Sequence, residues 1–426
     1  MLDRKFIVDN AQQVKENCAR RGVKADVDRF VELDAKRRQS QSRIEELNRQ
    51  SNEVAKSIGK AKDDAERAAR KDEGRKLREQ ITAIEHEISG LATEIDTIQR
   101  GIPNMSHPKA PLGAGEDANL EVAKGKTSLP KFDFTPVDHV AIAEKQALVD
   151  FEGGAKVAGH GFYFLKNEAV LLELALQRYA IDLLIGEGFT PTITPDLARN
   201  EVLHGTGYIP RGPETQIYSI ADSDLSLVAT AEITLGGLLS EEILEAEALP
   251  LKYCGISHCY RTEAGAGGRA SRGLYRVHQF TKVEMFAFTL PDQSDDMLEY
   301  FRDLECRIFD GLGIPFRVVD TCVGDLGGPA YRKYDLEAWM PGRGTGGEYG
   351  EVTSTSNCTD YQARRLGIRF RRKGEKGTQF VHTLNGTAVA ISRAIIAILE
   401  NYQQSDGSVV VPEALRAWVG KDRIGC

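Results

Sequence analysis

The sequence has no uninterrupted apolar run long enough to cross a bilayer. Its most apolar stretch, 169–185, is broken by Glu173, Arg178 and Asp182, which indicates an amphipathic or core helix. The opening segment MLDRKFIVDN also lacks the basic-then-apolar order of a secretory signal. We therefore expect a cytoplasmic protein that does not enter the membrane.

Cysteine signatures of metal sites and disulfides are also scarce. The seven cysteines are scattered, and their number is odd. Cys254 and Cys259 are separated by five positions, and no second pair follows at the spacing of a zinc site. We therefore expect no structural zinc and a reducing compartment.

The two common nucleotide-binding motifs are missing as well. The sequence contains no P-loop, and no GxGxxG follows a strand and opens a helix. No repeat of 20 to 50 residues is present either. If this protein uses a nucleotide, it must hold the nucleotide by another design.

The composition predicts a soluble globular protein with more than one domain. Hydrophobic residues make up 41% and charged residues 28% of the 426 positions. A chain of this length has room for two or three domains. The net charge of -8 gives no general sign of nucleic-acid binding, although a basic stripe can lie on an acidic body.

The first hundred residues carry the pattern of a coiled coil. Between 77 and 98 the apolar residues recur at alternating intervals of four and three, which is the a/d spacing of packed helices. These residues are Leu77, Ile81, Ile84, Ile88, Leu91, Ile95 and Ile98. Phe30 to Ile58 follows the same spacing with more polar members. We predict an antiparallel helical arm over about 30–100, its tip near 59–73, and ~1.5 Å of rise per residue makes it roughly 50 Å long.

Many basic side chains lie along this predicted arm. They are Arg37, Arg38, Arg43, Arg49, Lys56, Lys60, Lys62, Arg67, Arg70, Lys71, Arg75, Lys76 and Arg78. One interpretation is a solvated helix face balanced by the many nearby glutamates. The other is a surface that grips the phosphates of a nucleic acid. The residues alone leave both open.

A linker and an α+β domain follow the arm. The segment GIPNMSHPKAPLGAG at 101–115 is rich in proline and glycine and lacks periodicity. Beyond it, helices predicted at 168–186 and 292–311 alternate with strand-like runs. These runs lie at 250–261, 280–289, 316–323 and 378–384. Glycine-rich turns between the strands favour a mainly antiparallel sheet flanked by helices. We predict an N-terminal domain at 1–107 and a larger domain at 108–426.

Three segments carry residues suited to chemistry. In the first, a strand delivers Arg261, a glycine-rich loop follows, and a second strand returns through Phe280. An arginine there can bind a carboxylate and a phosphate together. Strand alternation places Lys282 and Glu284 on the same face as Phe280. An ordinary hairpin with a mobile loop is the alternative.

The second and third segments are weaker signals by themselves. EVTSTSN at 351–357 joins a carboxylate to hydroxyls that could hold Mg²⁺ against phosphates, or it could be a polar turn. NGTA at 385–388 precedes a helix that carries Arg393. There Gly386 permits a tight strand-to-helix turn, and Asn385 and Thr387 could simply cap that helix.

Together and in this order, these segments resemble the motifs of class II aminoacyl-tRNA synthetases, and more narrowly those of seryl-tRNA synthetases of bacterial type. The matching stretches are GTGYIP (205–210), TAE (230–232), RTEAG (261–265), RGLYRVHQFTKVEM (272–285), EVTSTSN (351–357) and NGTAVAISRAIIAILENYQ (385–403). The helical arm and the NMSHPKAPLG linker match too, so the resemblance covers essentially the whole chain. Departures are small: Tyr-Arg-Thr-Glu at 260–263 replaces Phe-Arg-Ser-Glu, and Thr387 stands where some members have serine.

The resemblance implies a serine–tRNA ligase that makes seryl-adenylate from serine and ATP. It implies a catalytic set of Arg261, Glu263 and Arg393, in which Arg261 bridges the serine carboxylate and the α-phosphate. The implied ATP site comprises Arg261, Thr262, Glu263, Val277, Phe280, Glu351, Val352, Thr353, Ser354 and Arg393. Glu263 would hold the adenine edge, and Phe280 and Arg393 would sandwich the adenine. Glu351 and Ser354 would hold Mg²⁺ with ATP.

The serine site implied by the resemblance comprises Thr230, Ala231, Glu232, Arg261, Glu284, Asn385 and Thr387. Thr230 and Glu232 would bind the ammonium group, and Glu284 and Thr387 would read the hydroxyl. Buried polar groups that expect a hydroxyl are left unpaired with alanine, which is a basis for rejecting it.

The resemblance also implies partners. The segment at 186–200, with Pro195, matches a motif at the subunit interface of a homodimer. The arm is expected to bind serine tRNA, and selenocysteine tRNA where that tRNA exists. Two alternatives remain: an amino-acid:carrier-protein ligase, whose members lack the arm, and a non-catalytic RNA-binding paralogue.

Overall fold

The structure is a computed structural model, and it describes residues 1–208, 216–264 and 273–425. The chain divides into two compact units, Met1–Met105 and Ser106–Cys426. The division falls inside the proline- and glycine-rich segment at 101–115. Among the described helices, none is both long and apolar enough to cross a membrane.

The first unit is a long helical hairpin with a small base. Its helices are α1 (Arg4–Asp9), α2 (Ala11–Arg20), α3 (Val27–Ile58) and α4 (Asp64–Gly101). At the base, Ile7, Val14, Phe30, Leu33 and Ile95 are buried together. Along the arm, the predicted a/d positions are buried or half-buried, while most of the residues between them are exposed. The predicted coiled-coil hairpin is therefore confirmed.

The tip of the hairpin is shorter than the sequence predicts. The predicted tip spans 59–73, but α4 already begins at Asp64. The carboxylate of Asp63 accepts a hydrogen bond from the backbone N–H of Glu66 at 2.7 Å and so caps the new helix. The segment that follows is rich in alanine, arginine and glutamate, which favour helix. Non-helical backbone is thereby confined to 59–63.

The second unit is built on a mainly antiparallel sheet. Its described strands are β1 (Leu120–Lys124), β2 (Val149–Asp150), β3 (Phe164–Leu165), β4 (Thr190–Ile193), β5 (Leu197–Arg199), β6 (Leu225–Leu227), β7 (Ile243–Glu245), β8 (Leu251–Tyr260), β9 (Gln279–Thr289), β10 (Phe316–Asp320), β11 (Arg332–Met340), β12 (Glu348–Thr359), β13 (Arg369–Arg371), β14 (Gln379–Phe380), β15 (His382–Ala390), β16 (Val409–Val410) and β17 (Arg423–Ile424). Eight described strands form the main sheet in the order β1-β10-β11-β12-β15-β9-β8-β4. Only the edge pair β4–β8 is parallel among these pairings. The predicted fold class is confirmed.

The second unit has nine α-helices among its described residues, and they lie on both faces of the main sheet. They are α5 (His139–Lys145), α6 (Phe151–Ala158), α7 (Glu168–Gly186), α8 (Asn200–Thr206), α9 (Ala231–Gly237), α10 (Ser294–Gly311), α11 (Tyr361–Leu366), α12 (Ile391–Asn401) and α13 (Arg416–Val419). Helices α7, α10 and α12 pack against β9 and β15. Met285 of β9, Phe301 of α10 and Ile395 of α12 lie in the resulting core. Because side chains alternate along a strand, β9 presents its even-numbered positions to the opposite face.

One predicted turn is wrong. The sequence suggests that Gly386 makes a strand-to-helix turn and that Asn385 and Thr387 lie at a helix N-terminus. In the structure all three belong to β15, and α12 begins at Ile391. Gly386 is needed for packing, because a Cβ there would come within 2.8 Å of the Thr355 hydroxyl oxygen. EVTSTSN is likewise part of β12 and not a polar turn.

Candidate active site

A cavity of about 380 Å³ opens on the sheet face opposite α7, α10 and α12. Most residues that the sequence nominates line this cavity: Glu232, Arg261, Glu263, Val277, Phe280, Glu284, Glu351, Val352, Thr353, Ser354, Asn385, Thr387 and Arg393. They come from segments up to 161 positions apart (232 to 393) and meet because β12, β15, β9 and β8 are consecutive strands of the main sheet. The structure therefore assembles the dispersed motifs into one site.

Three nominated residues stand just behind the cavity wall. Thr230 is buried at the N-terminus of α9, where its hydroxyl accepts a hydrogen bond from the backbone N–H of Glu232 at 3.3 Å. Ala231 is buried beside it. The backbone N–H of Thr262 donates to the carbonyl oxygen of Gln216 at 3.0 Å. The glycine-rich loop at 265–272, and Ile209 and Pro210 of the GTGYIP stretch, lie outside the described residues.

Arg261 lies at the mouth of the β8–β9 hairpin. Its backbone N–H donates to the carbonyl oxygen of His278 at 3.0 Å, which fixes the strand end. Its Nε donates to the carbonyl oxygen of Ala229 at 3.4 Å, and its guanidinium lies 5.4 Å from the centre of the Phe280 ring. No carboxylate of the described residues pairs with this guanidinium within 4.0 Å. Arg261 can therefore offer donors to an anion in the cavity.

Glu232 lies in a pocket of hydrogen-bond donors. Gln362 Nε2 and Asn385 Nδ2 donate to its Oε1 at 2.7 and 2.9 Å, and the hydroxyl of Tyr208 donates to its Oε2 at 3.2 Å. Burial raises the pKa of Glu232 to about 7, and the nearby Glu284 carboxylate adds to the rise. The hydrogen bond from Gln362 opposes that rise. A cationic ligand would supply the positive charge that Glu232 lacks.

Glu284 belongs to a second buried polar group. Lys282 Nζ lies 2.5 Å from Glu284 Oε2, and the Thr387 hydroxyl donates to the same oxygen at 3.3 Å. Lys282 also donates to Thr387 Oγ1 at 3.4 Å. These three residues are at most 6% exposed and line the cavity.

Glu351 and Arg393 lie together at the opposite wall. Arg393 Nη1 donates to the backbone carbonyl oxygen of Glu351 at 2.9 Å and lies 3.4 Å from its carboxylate. Burial acts to raise the pKa of Glu351, but the positive charges of Arg393, Lys333 and Arg261 together outweigh it and hold that pKa below its usual value. The Arg393 guanidinium lies 4.5 Å from the centre of the Tyr275 ring. A planar group could stack on this side of the cavity.

The donor set beside Arg393 fits a cation that is carried with phosphates. The carboxylate of Glu351 and the hydroxyl of Ser354 line the same stretch of β12. In the described part of the chain, no group of three or more His, Cys, Asp or Glu side chains could enclose a metal ion. Mg²⁺ in nucleotide sites is held by one or two carboxylates together with substrate phosphates. Glu351 and Ser354 suit that arrangement and do not form a complete cage.

Sequence reasoning missed several residues that line or support the site. Tyr208, Tyr275, Lys333 and Gln362 contact or face the nominated residues, but each is distant in sequence from its partners. Tyr208 and Tyr275 lie within the quoted stretches GTGYIP and RGLYRVHQFTKVEM, which could have drawn attention to them, whereas no local pattern marks Lys333 or Gln362. Lys282 carried a usable signal, because strand alternation places it between Phe280 and Glu284 on the cavity face.

Comparisons with known proteins agree with this architecture over the whole chain. The family model "Seryl-tRNA synthetase N-terminal domain" matches residues 1–106. The model "tRNA synthetase class II core domain (G, H, P, S and T)" matches residues 218–402. The serine–tRNA ligase of Rhodopirellula baltica is 63% identical over 100% of both chains. That of Rubrobacter xylanophilus is 55% identical over 100% of this chain and 99% of its own.

Solved structures give the same result. The crystal structure of seryl-tRNA synthetase from Pyrococcus horikoshii complexed with ATP superposes with a TM-score of 0.93 at 40% identity, over 100% of this chain and 99% of that one. The cytoplasmic serine–tRNA ligase from Naegleria fowleri in complex with AMP gives 0.88 at 33% identity, over 100% and 98%. These relatives support neither a carrier-protein ligase nor a non-catalytic paralogue. The chain therefore belongs to the seryl-tRNA synthetases, the ATP-dependent serine–tRNA ligases of class II.

Proposed function

We propose that this cavity carries out both steps of serine–tRNA ligation. In the first step, an oxygen of the serine carboxylate attacks the α-phosphorus of ATP, and the bond to pyrophosphate breaks. In the second step, a hydroxyl at the 3′ end of serine tRNA attacks the seryl carbonyl carbon, and AMP leaves. The observation that carries the proposal is the meeting of Arg261, Glu232, Glu284 and Glu351 in one cavity. Neither step needs a covalent enzyme intermediate, so positioning and charge neutralisation supply the catalysis.

Arg261, Glu263 and Arg393 form the proposed catalytic set. The Arg261 guanidinium has donors available to bridge the serine carboxylate and the α-phosphate, which repel one another without it. Glu263, with Thr262 and the backbone of Val277, would hold the adenine edge. Phe280 and Arg393 would lie on either side of the base. Glu263 is paired with Arg276 at 3.3 Å, which holds its carboxylate at the cavity wall.

The serine pocket is proposed at the other end of the cavity. Glu232 would pair with the ammonium group, supported by Thr230 and Ala231 at the start of α9. Glu284 and Thr387 would bind the hydroxyl, with Asn385 close by, since it donates to Glu232. The raised pKa of Glu232 supports its assignment, since the ammonium would supply the missing countercharge.

Mg²⁺ is the proposed cation with ATP. Glu351 and Ser354 would hold it, and Val352 and Thr353 place those two side chains along β12. When bound, the ion would neutralise phosphate charge and favour departure of pyrophosphate. The protein's own part is to keep Glu351 ionised, which the charges of Arg393, Lys333 and Arg261 do together by lowering the pKa of that carboxyl.

The arm of the first unit is the proposed tRNA-binding element, in a cytoplasmic homodimer. Arg43, Lys56, Lys60, Lys62, Lys71 and Arg78 have no carboxylate within 4.0 Å among the described residues. Such cations are available to phosphates of serine tRNA, and to those of selenocysteine tRNA where it exists. For the homodimer, exposed apolar side chains on α7 and β4 offer a contact surface, with Ile193 83% exposed.

The test is serine-dependent exchange of pyrophosphate into ATP by purified Arg261→Ala protein. We expect exchange to fall by about 100-fold or more, because removal of one preorganised donor to developing charge costs that much. Arg371→Ala is the matched control, since Arg371 is an exposed arginine outside the cavity. Normal exchange by folded Arg261→Ala protein would refute the assignment of this cavity to adenylation.

A further inference from the structure

Lys282 is a buried cation that the roles assigned above leave unexplained. It is 5% exposed and lies on β9 one strand period before Glu284. Among the described residues, Glu284 is the carboxylate within ion-pair distance of its ammonium group. Burying a lysine carries a large desolvation cost unless its charge is well paired. A lysine buried in the lining of a substrate pocket is therefore expected to have a specific function.

The contacts of Lys282 and Thr387 with Glu284 leave its two carboxylate oxygens in different environments. Lys282 and Thr387 both contact Oε2, at 2.5 and 3.3 Å. No hydrogen bond within the described chain falls on Oε1. A carboxylate held through one oxygen keeps the other as an acceptor for a ligand, and an ionised carboxylate can accept but cannot donate.

The charges around the pocket explain why a lysine is needed. Glu232 and Glu284 are both nearly buried, and the Glu284 carboxylate adds to the rise in the pKa of Glu232, which the charge of Lys282 opposes. Lys282 therefore supplies positive charge to two neighbouring buried carboxylates. A protonated carboxyl can turn a donor or an acceptor toward the ligand, so it no longer demands a hydroxyl donor.

We propose that Lys282 is a positioning residue for serine selection: it fixes Glu284 through Oε2, so that Oε1 is left as an ionised acceptor for the substrate hydroxyl. The inference rests on the proposed assignment of Glu284 to the serine side chain. It extends that assignment by naming the source of discrimination. A ligand without a hydroxyl, such as alanine, leaves a charged buried oxygen unpaired, and this cost is larger than for a neutral one.

The variants Lys282→Met, Glu284→Gln and the double variant test this proposal in the full-length protein. The measured quantities are the serine and ATP KM values in pyrophosphate exchange, the ratio of kcat/KM for serine to that for alanine, and the thermal midpoint. For Lys282→Met we expect a serine KM at least about tenfold higher, an ATP KM within about twofold, and a serine-to-alanine ratio at least about tenfold lower. In the double variant, Glu284→Gln should raise the serine KM by a much smaller factor than it does as a single change.

A purely structural lysine gives a different pattern. It would lower the thermal midpoint and change both KM values alike, with the serine-to-alanine ratio unchanged, and that result would overturn the proposal. If Lys282→Met does not fold, the ratio is measured in Lys282→Gln and in the charge-neutral double variant, with the same two outcomes. If Glu284→Gln raises the serine KM but no Lys282 variant lowers the ratio, this inference alone fails. If Glu284→Gln leaves the serine KM unchanged, both this inference and the assignment of Glu284 to the serine site fail.

Discussion

Gln362 donates a hydrogen bond from Nε2 to Glu232 Oε1 at 2.7 Å, and its orientation is fixed from the other side. The hydroxyl of Thr383 donates to Gln362 Oε1 at 2.7 Å, so the amide oxygen faces Thr383 and the amide nitrogen faces Glu232. Gln362 is fully buried and cannot exchange these partners for water. It therefore holds Glu232 in the form that can bind an ammonium group.

The first prediction is a pH dependence that Gln362 sets. Glu232 must be ionised to bind the serine ammonium, and its pKa is about 7. As the pH falls through that value, kcat/KM for serine should fall. Gln362 lowers this pKa, so Gln362→Met should move the acid limb to higher pH. The measurement is kcat/KM for serine between pH 5.5 and 8.5.

Glu232→Gln provides the control for that profile. It should abolish this acid limb at a low overall rate, because the group that titrates is gone. An acid limb at the same pH in Gln362→Met and in the unsubstituted protein would show that Gln362 does not act on Glu232.

The second prediction separates tRNA binding from adenylation. Arg29 pairs with Glu94 at 2.8 Å, and Arg70 donates to the carbonyl oxygen of Ser57. Residues 43 and 82 lie midway in sequence between these pairs and mark the ends of the segment to be removed. Replacing 44–81 by a short glycine-containing loop keeps Phe30, Leu33 and Ile95 in the base core. Pyrophosphate exchange should stay within about twofold, and kcat/KM for serine tRNA should fall by about 100-fold or more. Equal losses of both activities would refute a separate tRNA-binding role for the arm.

The third prediction concerns which cations of the arm contact tRNA. Changing Lys56, Lys60, Lys71 and Arg78 to glutamine removes side chains without carboxylate partners. The matched set is Arg49, Arg67, Arg75 and Lys76, each of which lies in an ion pair. The first set should weaken tRNA binding more, and should reduce the slope of log K against log salt by up to ~0.9 for each lost phosphate contact. Titration of serine tRNA at several KCl concentrations measures both. If both sets weakened tRNA binding equally, the presence of a carboxylate partner would not decide which cations contact the tRNA.

The sequence predicts features that repeat along the chain and misses contacts between distant segments. The a/d spacing of the coiled coil repeats along the sequence, so the sequence alone reveals it from Leu77 onward. Strand alternation likewise placed Lys282 and Glu284 on one face of β9. By contrast, the contact of Gln362 with Glu232 joins positions 130 apart, and no local pattern encodes it. The sequence predicts a turn at Gly386, because it does not show that Thr355, on another strand, packs closely against this glycine.

The last prediction concerns Glu305, a carboxyl that the proposed reaction does not use. Glu305 lies on α10 and is 1% exposed, and its Oε1 has no hydrogen-bond partner among the described residues. Burial raises its pKa well above the usual value, and the nearby Asp335, Glu284 and Glu351 carboxyl groups add to the rise. In the folded protein it therefore stays protonated at pH values where the unfolded chain is ionised.

The sign of the pH effect follows from the proton count. Above the pKa of the unfolded chain, the folded state binds one more proton, so stability falls as the pH rises toward the folded pKa, by at most about 1.4 kcal/mol per pH unit. Glu305→Gln carries no titrating proton and removes that slope. The difference in thermal midpoint, Glu305→Gln minus unsubstituted protein, should therefore be more positive at pH 8 than at pH 5.5. Glu375→Gln, at an exposed loop position, should show no such trend. Parallel curves for Glu305→Gln and the unsubstituted protein would mean that this carboxyl is already ionised in the fold.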